Sequence, residues 1–313
     1  MNRSILGGLS IIFAVFLMAA QDTAIKIMST DVSFWQLSVV RAPLAFVLLT
    51  GLALLLPRTS PGQAWRSAFE PWAMVRAFFL LLMYIFLYLS FPYLKLAEMG
   101  AAFYTAPIFT ALMSALFLRE RVGWQGWMAV LLGFIGVLVV SRPGTGVFTP
   151  AIAFPVISGF CYSVAAVLTR AKVQGTDTLG VALSMNVIIF VFAILIVAGL
   201  TLFRLPPETT AIEPFLLNGW MPMTVRDWIF IPSLAFLICG LAFFMPLAYQ
   251  IAPPVLVATL EYVYLIYAGL MGFFLLGETL DGISILGMAI LVAAGLLIVF
   301  RRQPAPPQAA VAA

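Results

Sequence analysis

Two acids and three bases stand inside stretches that are otherwise apolar. MAAQDTAIKIM (18–28) holds Asp22 and Lys26 one helical turn apart. SVVRAPLAFVLL (38–49) sets Arg41 among Val, Ala, Pro and Leu. PWAMVRAFFL (71–80) carries Arg76, and VATLEYVYLIYAGL (257–270) carries Glu261. A charge in surroundings this apolar costs a few kcal/mol or more, so such groups are expected to face inward and to partner one another or a ligand. The turn after the first run centres near Asp31, so Asp22 and Arg41 reach about the same depth, ~12 Å below the surface at about 1.5 Å per residue. The Asp22, Lys26 and Arg41 trio keeps one net positive charge, which would hold an anionic substrate group or pair with an acid elsewhere. Two plainer readings stand beside this one: Lys26 snorkels to the interface, and Asp22 with Arg41 forms a fixed structural clamp.

Glu261 sits well inside its run, on the expectation in the opposite half of the membrane from Asp22. A carboxyl there suits proton carriage and coupling, or a hydrogen bond to a neighbouring helix. Arg76 is a partner for it or an interface anchor. Asn186 is neutral and either joins helices or donates to a ligand. Tyr84 and Tyr88 are one turn apart, Tyr104 lies on the following run, and Tyr262 and Tyr264 follow Glu261. Their rings would stack on a planar or cationic ligand, or serve as packing.

Enzyme chemistry finds little to work with. The chain has no His, which removes His acid–base catalysis and His metal ligands. Cys161 and Cys239 stand alone in separate runs and read as small buried hydrophobes. No Gly-rich phosphate loop, G-x-S-x-G or paired Asp-rich metal motif occurs. No cofactor, metal or ATP drive is therefore expected, and no basic stripe marks a nucleic-acid partner.

The elements that must position these residues are membrane spans. The 313 residues are 64% hydrophobic and 9% charged, against roughly 25% charged in soluble domains. Ten apolar segments approach the ~20 residues of a span: 5–25, 33–56, 72–93, 98–118, 123–141, 151–170, 180–203, 228–249, 254–276 and 282–300. The basic start of the first resembles a signal peptide, but its apolar run is long and lacks a clear cleavage site, so it is expected to be a retained span. Pro43, Pro107, Pro155 and Pro246 would each kink their helices. Trp65, Trp72, Trp124, Trp220 and Trp228 fall near the edges, as an aromatic belt would. With the N-terminus inside, the inner connections hold Arg3, Arg58, Arg66, Arg119, Arg121, Arg170, Lys172, Arg301 and Arg302, and the outer ones Lys95, Arg142, Arg204 and Arg226. That bias puts both termini in the cytoplasm. The tail 301–313, rich in Pro and Ala, is expected to be disordered.

Internal repeats order the spans. KIMSTD (26–31) recurs as KVQGTD (172–177), LRERV (118–122) as LGETL (276–280), and GVLVVSR (136–142) as GLLIVFR (295–301). Glu120 and Glu278 thus occupy equivalent turns, where a structural role is expected. Residues 5–141 form one repeat and 151–300 the other. Each holds an odd number of spans, so the second copy lies inverted, the arrangement of many alternating-access carriers.

With these features, LFLRERVGWQGWMAVLLGFIGVLVVSRP (116–143) and FLLGETLDGISILGMAILVAAGLLIVFRR (274–302) resemble paired repeats of the drug/metabolite transporter superfamily, EamA type. The resemblance covers about residues 5–302. QDTAIK and LSVVRAPLAF are similar to the branch that includes S-adenosylmethionine and riboflavin transporters, whose first spans carry an Asp-x-x-x-Lys followed by Arg. That likeness implies roles for Asp22, Lys26 and Arg41.

The expectation is an all-α membrane protein of ten transmembrane helices in two inverted five-helix repeats. It would act as a secondary transporter of a small organic metabolite across a bacterial-type inner membrane. The candidate substrate-binding or coupling residues are Asp22, Lys26, Arg41, Arg76, Tyr84, Tyr88, Tyr104, Asn186, Glu261 and Tyr262. Asp22 and Arg41 would form a charged wall near the midplane, with aromatic sides. The partners are the lipid bilayer, the substrate and a coupled proton, with a homodimer left open. Export of drugs or metallophore-like metabolites is the alternative, and a membrane-embedded enzyme the remoter one.

Overall fold

The computed structural model describes residues 3–28, 32–56, 59–90, 93, 96–118, 123–141, 150–203, 205–277 and 282–299. Asp31, Arg58, Lys95, Arg119, Glu120, Arg121, Arg142, Arg204, Glu278 and the tail 301–313 lie outside the described residues, as does the side chain of Glu98.

The described residues are helical, with no strand among them. The chain order is α1 (Arg3–Met28), α2 (Phe34–Leu55), α3 (Pro61–Ala68), α4 (Pro71–Tyr88), α5 (Leu96–Phe103), α6 (Ala106–Phe117), α7 (Trp124–Ser141), α8 (Ala153–Lys172), α9 (Thr178–Leu202), α10 (Pro207–Ile212), α11 (Pro214–Leu217), α12 (Val225–Ile251), α13 (Pro254–Leu260), α14 (Val263–Leu276) and α15 (Gly282–Val299). Among the described residues, seven helical stretches are long and apolar enough to cross a membrane: α1, α2, α4, 150–172, α9, α12 and 254–275. Exposed Leu54, Leu55, Leu195, Leu202 and Phe236 form an outer surface suited to lipid.

Local chemistry sets the helix ends. Ser33 and Ser60 accept from the amides of Gln36 and Gln63 at the starts of α2 and α3. Thr224 and Asp227 form a capping box on α12. Gly277 ends α14 in the left-handed region at φ 68°, where a side chain would be strained. The prolines divide by position. Pro43 and Pro246 lie inside α2 and α12. Pro107 and Pro155 fall in the first turns of α6 and α8 instead. There the absent N–H leaves no bond unmade inside α6 or α8 themselves, so these two start helices and do not kink them.

The fourth and ninth apolar segments are each interrupted. α5 stops at Phe103 and α6 resumes at Ala106; α13 stops at Leu260 and α14 resumes at Val263. At the first break Pro107 cannot bond back to Phe103. At the second the ladder tightens to three-residue bonds, Tyr264 N to Glu261 O at 2.9 Å and Leu265 N to Tyr262 O at 3.1 Å.

Packing brings distant segments together. α1 lies along α12, α4 along α8, α2 along α9 and α7 along α15. α1 also meets α13 and α14, as α8 meets α5 and α6. Small residues permit the close approaches: a Cβ on Gly7 would fall 2.5 Å from Ala252 Cβ, and one on Gly159 2.6 Å from Phe103 O. The longest connection is ordered against the start of α2. Trp35 Nε1 donates to Leu216 O at 2.8 Å, Gln36 Nε2 to Met221 O at 2.7 Å, and Ser33 Oγ to Gly219 O at 3.0 Å.

Candidate functional site

A cavity runs between α1, α4, α5, α8, α12 and the α13–α14 break. Its space is about 1180 Å³ when the part open to solvent is counted. Along α4 the lining extends from Arg76 to Tyr88, about 18 Å at the helical rise. Met18, Met83, Met99, Met185 and Met245 give the wall adaptable apolar surface.

Asp22, Lys26, Arg76, Tyr84, Tyr88, Tyr104 and Glu261 all reach this cavity. Asp22, on the last turns of α1, accepts a hydrogen bond from Tyr264 Oη at 2.8 Å. Glu261, at the break, accepts from Tyr162 Oη at 2.6 Å and Tyr249 Oη at 2.8 Å, both on Oε1. Arg76 Nε donates to Thr169 Oγ1 at 2.7 Å, and that hydroxyl donates in turn to Ala165 O at 2.7 Å. Tyr84 and Tyr88 stack with centroids 5.9 Å apart. Tyr104 lies between Tyr262, at 5.8 Å, and Tyr264, at 5.5 Å.

Arg41, Asn186 and Tyr262 are not among the lining residues. Arg41 is 3% exposed, beside Tyr84, Tyr88 and Cys239, and no ion pair joins it to Asp22 among the described residues. Asn186 Nδ2 donates back along α9 to Ala182 O at 3.0 Å. Tyr262 is fully buried with its ring over Gly133. Glu261 and Arg76 form no ion pair among the described residues either; Thr169 takes the arginine and two tyrosines take the acid. Asp22 meets Tyr264 only three residues after Glu261, so the two acids border one cavity and do not occupy separate ones.

Tyr162, Thr169 and Tyr249 are site residues that sequence reasoning passed over. Tyr162 and Tyr249 sit in apolar helices with no charge nearby in the chain, and Thr169 sits beside Arg170 at the end of one. The one available signal was a tyrosine or threonine amid residues with nothing to bond, which the segments carry many times over.

Outside the spans, Glu213 lies between α10 and α11, 4% exposed, and its Oε2 has no hydrogen-bond partner. Burial pushes its carboxyl up to about 7. Next to it Phe215 packs on Phe34 and on the cavity residue Tyr88, at 5.9 and 5.1 Å. Asp177, at the start of α9, is raised by burial and lowered in part by the amide of Leu179.

Comparison with known proteins now bears on this geometry. Residues 5–142 match the EamA-like transporter family. An uncharacterized transporter of Helicobacter pylori strain J99 is 29% identical over 206 residues, 66% of this chain and 65% of that one. An S-adenosylmethionine uptake transporter of Rickettsia prowazekii is 23% identical over 63% of this chain and 60% of its own length. A riboflavin transporter of Vibrio cholerae is 34% identical over 74 residues, 24% of each chain. The chain thus spans a little under two thirds of the length of the curated relatives it matches. A crystal structure at 16% identity superposes with a TM-score of 0.72 over 94% of this chain and 95% of that one, which shows a shared fold. Residues 5–142 of the chain are thus similar to the EamA-like transporter family, and its relatives are named as transporters.

Proposed function

We propose that this chain is a secondary transporter that moves a small organic metabolite across the inner membrane by alternating access. The observation that carries the reading is the cavity itself. It is enclosed by helices from both halves of the chain, holds two acids and two bases, and is walled by tyrosine and methionine. Such a chamber binds a polar solute in the low-dielectric middle of a membrane, where polar groups without a task are costly.

The proposed architecture is ten spans in two inverted repeats, residues 5–141 and 151–300, with both termini cytoplasmic. Several features support it. Several helix contacts recur when the first five apolar segments exchange with the last five: α1 on α12 becomes α8 on α4, α1 on α14 becomes α8 on α6, and α4 on α9 becomes α12 on α2. The two breaks fall in corresponding fourth segments, and the tyrosines at them, Tyr104 and Tyr262, pack on each other. AAQDTAIK (19–26) also aligns with AAVLTRAK (165–172), and Thr23 and Thr169 both bond back one turn, to Ala19 O and Ala165 O. Broken helices meeting near the midplane are a known location for carrier binding sites.

Proton coupling through Glu261 completes the proposal. Its carboxylate is held by tyrosine hydroxyls without a cation, an arrangement that admits a proton in place of a counter-ion. Riboflavin and S-adenosylmethionine head the substrates to test, because relatives carry those names. The experiment is counterflow in proteoliposomes: labelled compound outside, the same compound unlabelled inside. Saturable, counterflow-stimulated entry is expected for one member of a metabolite panel containing both. Entry that is linear in concentration and indifferent to the internal compound would refute a carrier.

A further inference from the structure

We infer that Arg76 is the anchor for an anionic group of the substrate, so that the transported compound carries a carboxylate or phosphate. The inference rests on the transporter reading and narrows it. Arg76 lines the cavity yet is only 4% exposed, and its Nη1 is buried without a hydrogen-bond partner. Thr169 holds Nε at 2.7 Å and is itself fixed to the α8 backbone, so one edge of the guanidinium is locked. No acid neutralises it among the described residues: of the two carboxylates lining the cavity, Glu261 accepts from Tyr162 and Tyr249, and Asp22 accepts from Tyr264.

A buried cation with no counter-charge is a strongly unfavourable arrangement, and a ligand anion relieves it. Arginine's planar fork suits a carboxylate or phosphate better than a point charge would. Tyr84, Tyr162 and Tyr249 line the same cavity as Arg76, so an aromatic body beside the anion would find rings to lie against. The expectation in which Arg76 pairs with Glu261 would have consumed this charge. Thr169 takes Nε and the two tyrosines take Glu261 Oε1, and no ion pair joins the two residues among the described residues.

The test uses the purified full chain in detergent and two planar probes of nearly one shape, nicotinate and nicotinamide. Nicotinate is expected to raise the melting temperature in a saturable way, and nicotinamide at equal concentration to leave it unchanged. In Arg76→Gln the apparent affinity for nicotinate should fall about tenfold or more, the effect of deleting one member of a buried charge pair. Arg76→Lys should keep part of the response, and Thr169→Val, which frees the guanidinium, should weaken it. Inorganic phosphate as competitor decides the class: displacement of nicotinate assigns the site to both anions, and none assigns it to carboxylates. Equal responses to the two probes, no response to either, or an unaltered nicotinate response in Arg76→Gln would overturn the inference. If Arg76→Gln does not fold, the paired probes on the unmutated chain and the Thr169→Val variant still decide. Nicotinate binding through Arg76 without counterflow of any panel compound would leave the anion site standing and remove the transporter reading. Counterflow of uncharged riboflavin at the same rate in Arg76→Gln would do the reverse.

Discussion

Gly133→Ala tests whether the break beside Glu261 is held by packing. A Cβ at Gly133 would lie 2.1 Å from Tyr262 Cε2, 2.6 Å from Cζ and 2.7 Å from Cδ2. Carbon atoms rest about 3.5–4.0 Å apart, so the closest pair must separate by roughly 1.4 Å. The ring has nowhere to retreat: Tyr262 is fully buried, and Tyr104 packs on it at a tilt, 5.8 Å between centroids. Overpacking of this kind costs ~1–3 kcal/mol, here at the upper end. Alanine's better helix propensity returns about 1 kcal/mol. The net loss is then ~2 kcal/mol, or about 4 °C in melting temperature at ~2 °C per kcal/mol for a chain of this size. Gly51→Ala is the control, because nothing lies within 4 Å of its added Cβ; it should melt with the wild type or slightly above. Scanning fluorimetry on the purified proteins reads both. Because Tyr262 follows Glu261 directly, counterflow should fall along with the melting temperature. Tyr262→Ala in the Gly133→Ala background should cost less than in the wild type, since the two residues compete for one space. A Gly133→Ala protein that melts at or above the wild type would refute the packing argument.

Three further outcomes are expected. Glu213 titrates near 7 in the folded chain against an ordinary 4.5, so the folded state holds a proton that the unfolded state has released between those values. Its stabilising effect is full below about pH 4.5 and is lost as the pH rises through about 7. Glu213→Gln should therefore shrink the fall in melting temperature between about pH 5.5 and about pH 8, and an identical fall in both proteins would count against it. Removing both donors to Glu261, in Tyr162→Phe with Tyr249→Phe, should cut counterflow by about tenfold or more, since hydrogen bonds to a charged group contribute ~1.5–3 kcal/mol each; undiminished flux would show that the cradle is only structural. Tyr262→Phe deletes a buried hydroxyl that has no partner and should melt no lower than the wild type, because it removes an unsatisfied group; a marked loss would mean that the hydroxyl is engaged.

The breaks and the caps show how far local sequence reaches. Pro107 removes the bond back to Phe103, so the first break is written in the chain; where a kink is expected, α6 starts anew. The second break has no proline, and the side chain of Glu261 at its turn is held by Tyr162 and Tyr249 from other helices. Arg41 shows the opposite limit. Depth along two antiparallel helices placed it level with Asp22, but depth does not fix how each helix is rotated about its axis. Tyr84 and Tyr88, which lie near both residues, are the neighbours that this rotation supplies.

The sequence by itself determined the solvent, the apolar segments and the kinds of chemistry available. Those properties follow from composition and from runs of neighbouring residues, which are local. Only the tertiary structure decided which polar groups meet. Tyr264 finds Asp22 across 242 residues, Tyr162 finds Glu261 across 99 and Arg76 finds Thr169 across 93. Helical periodicity says which residues share a face, but the choice of the opposing face comes from how helices seat against one another, glycine beside bulky side chain, over the whole bundle.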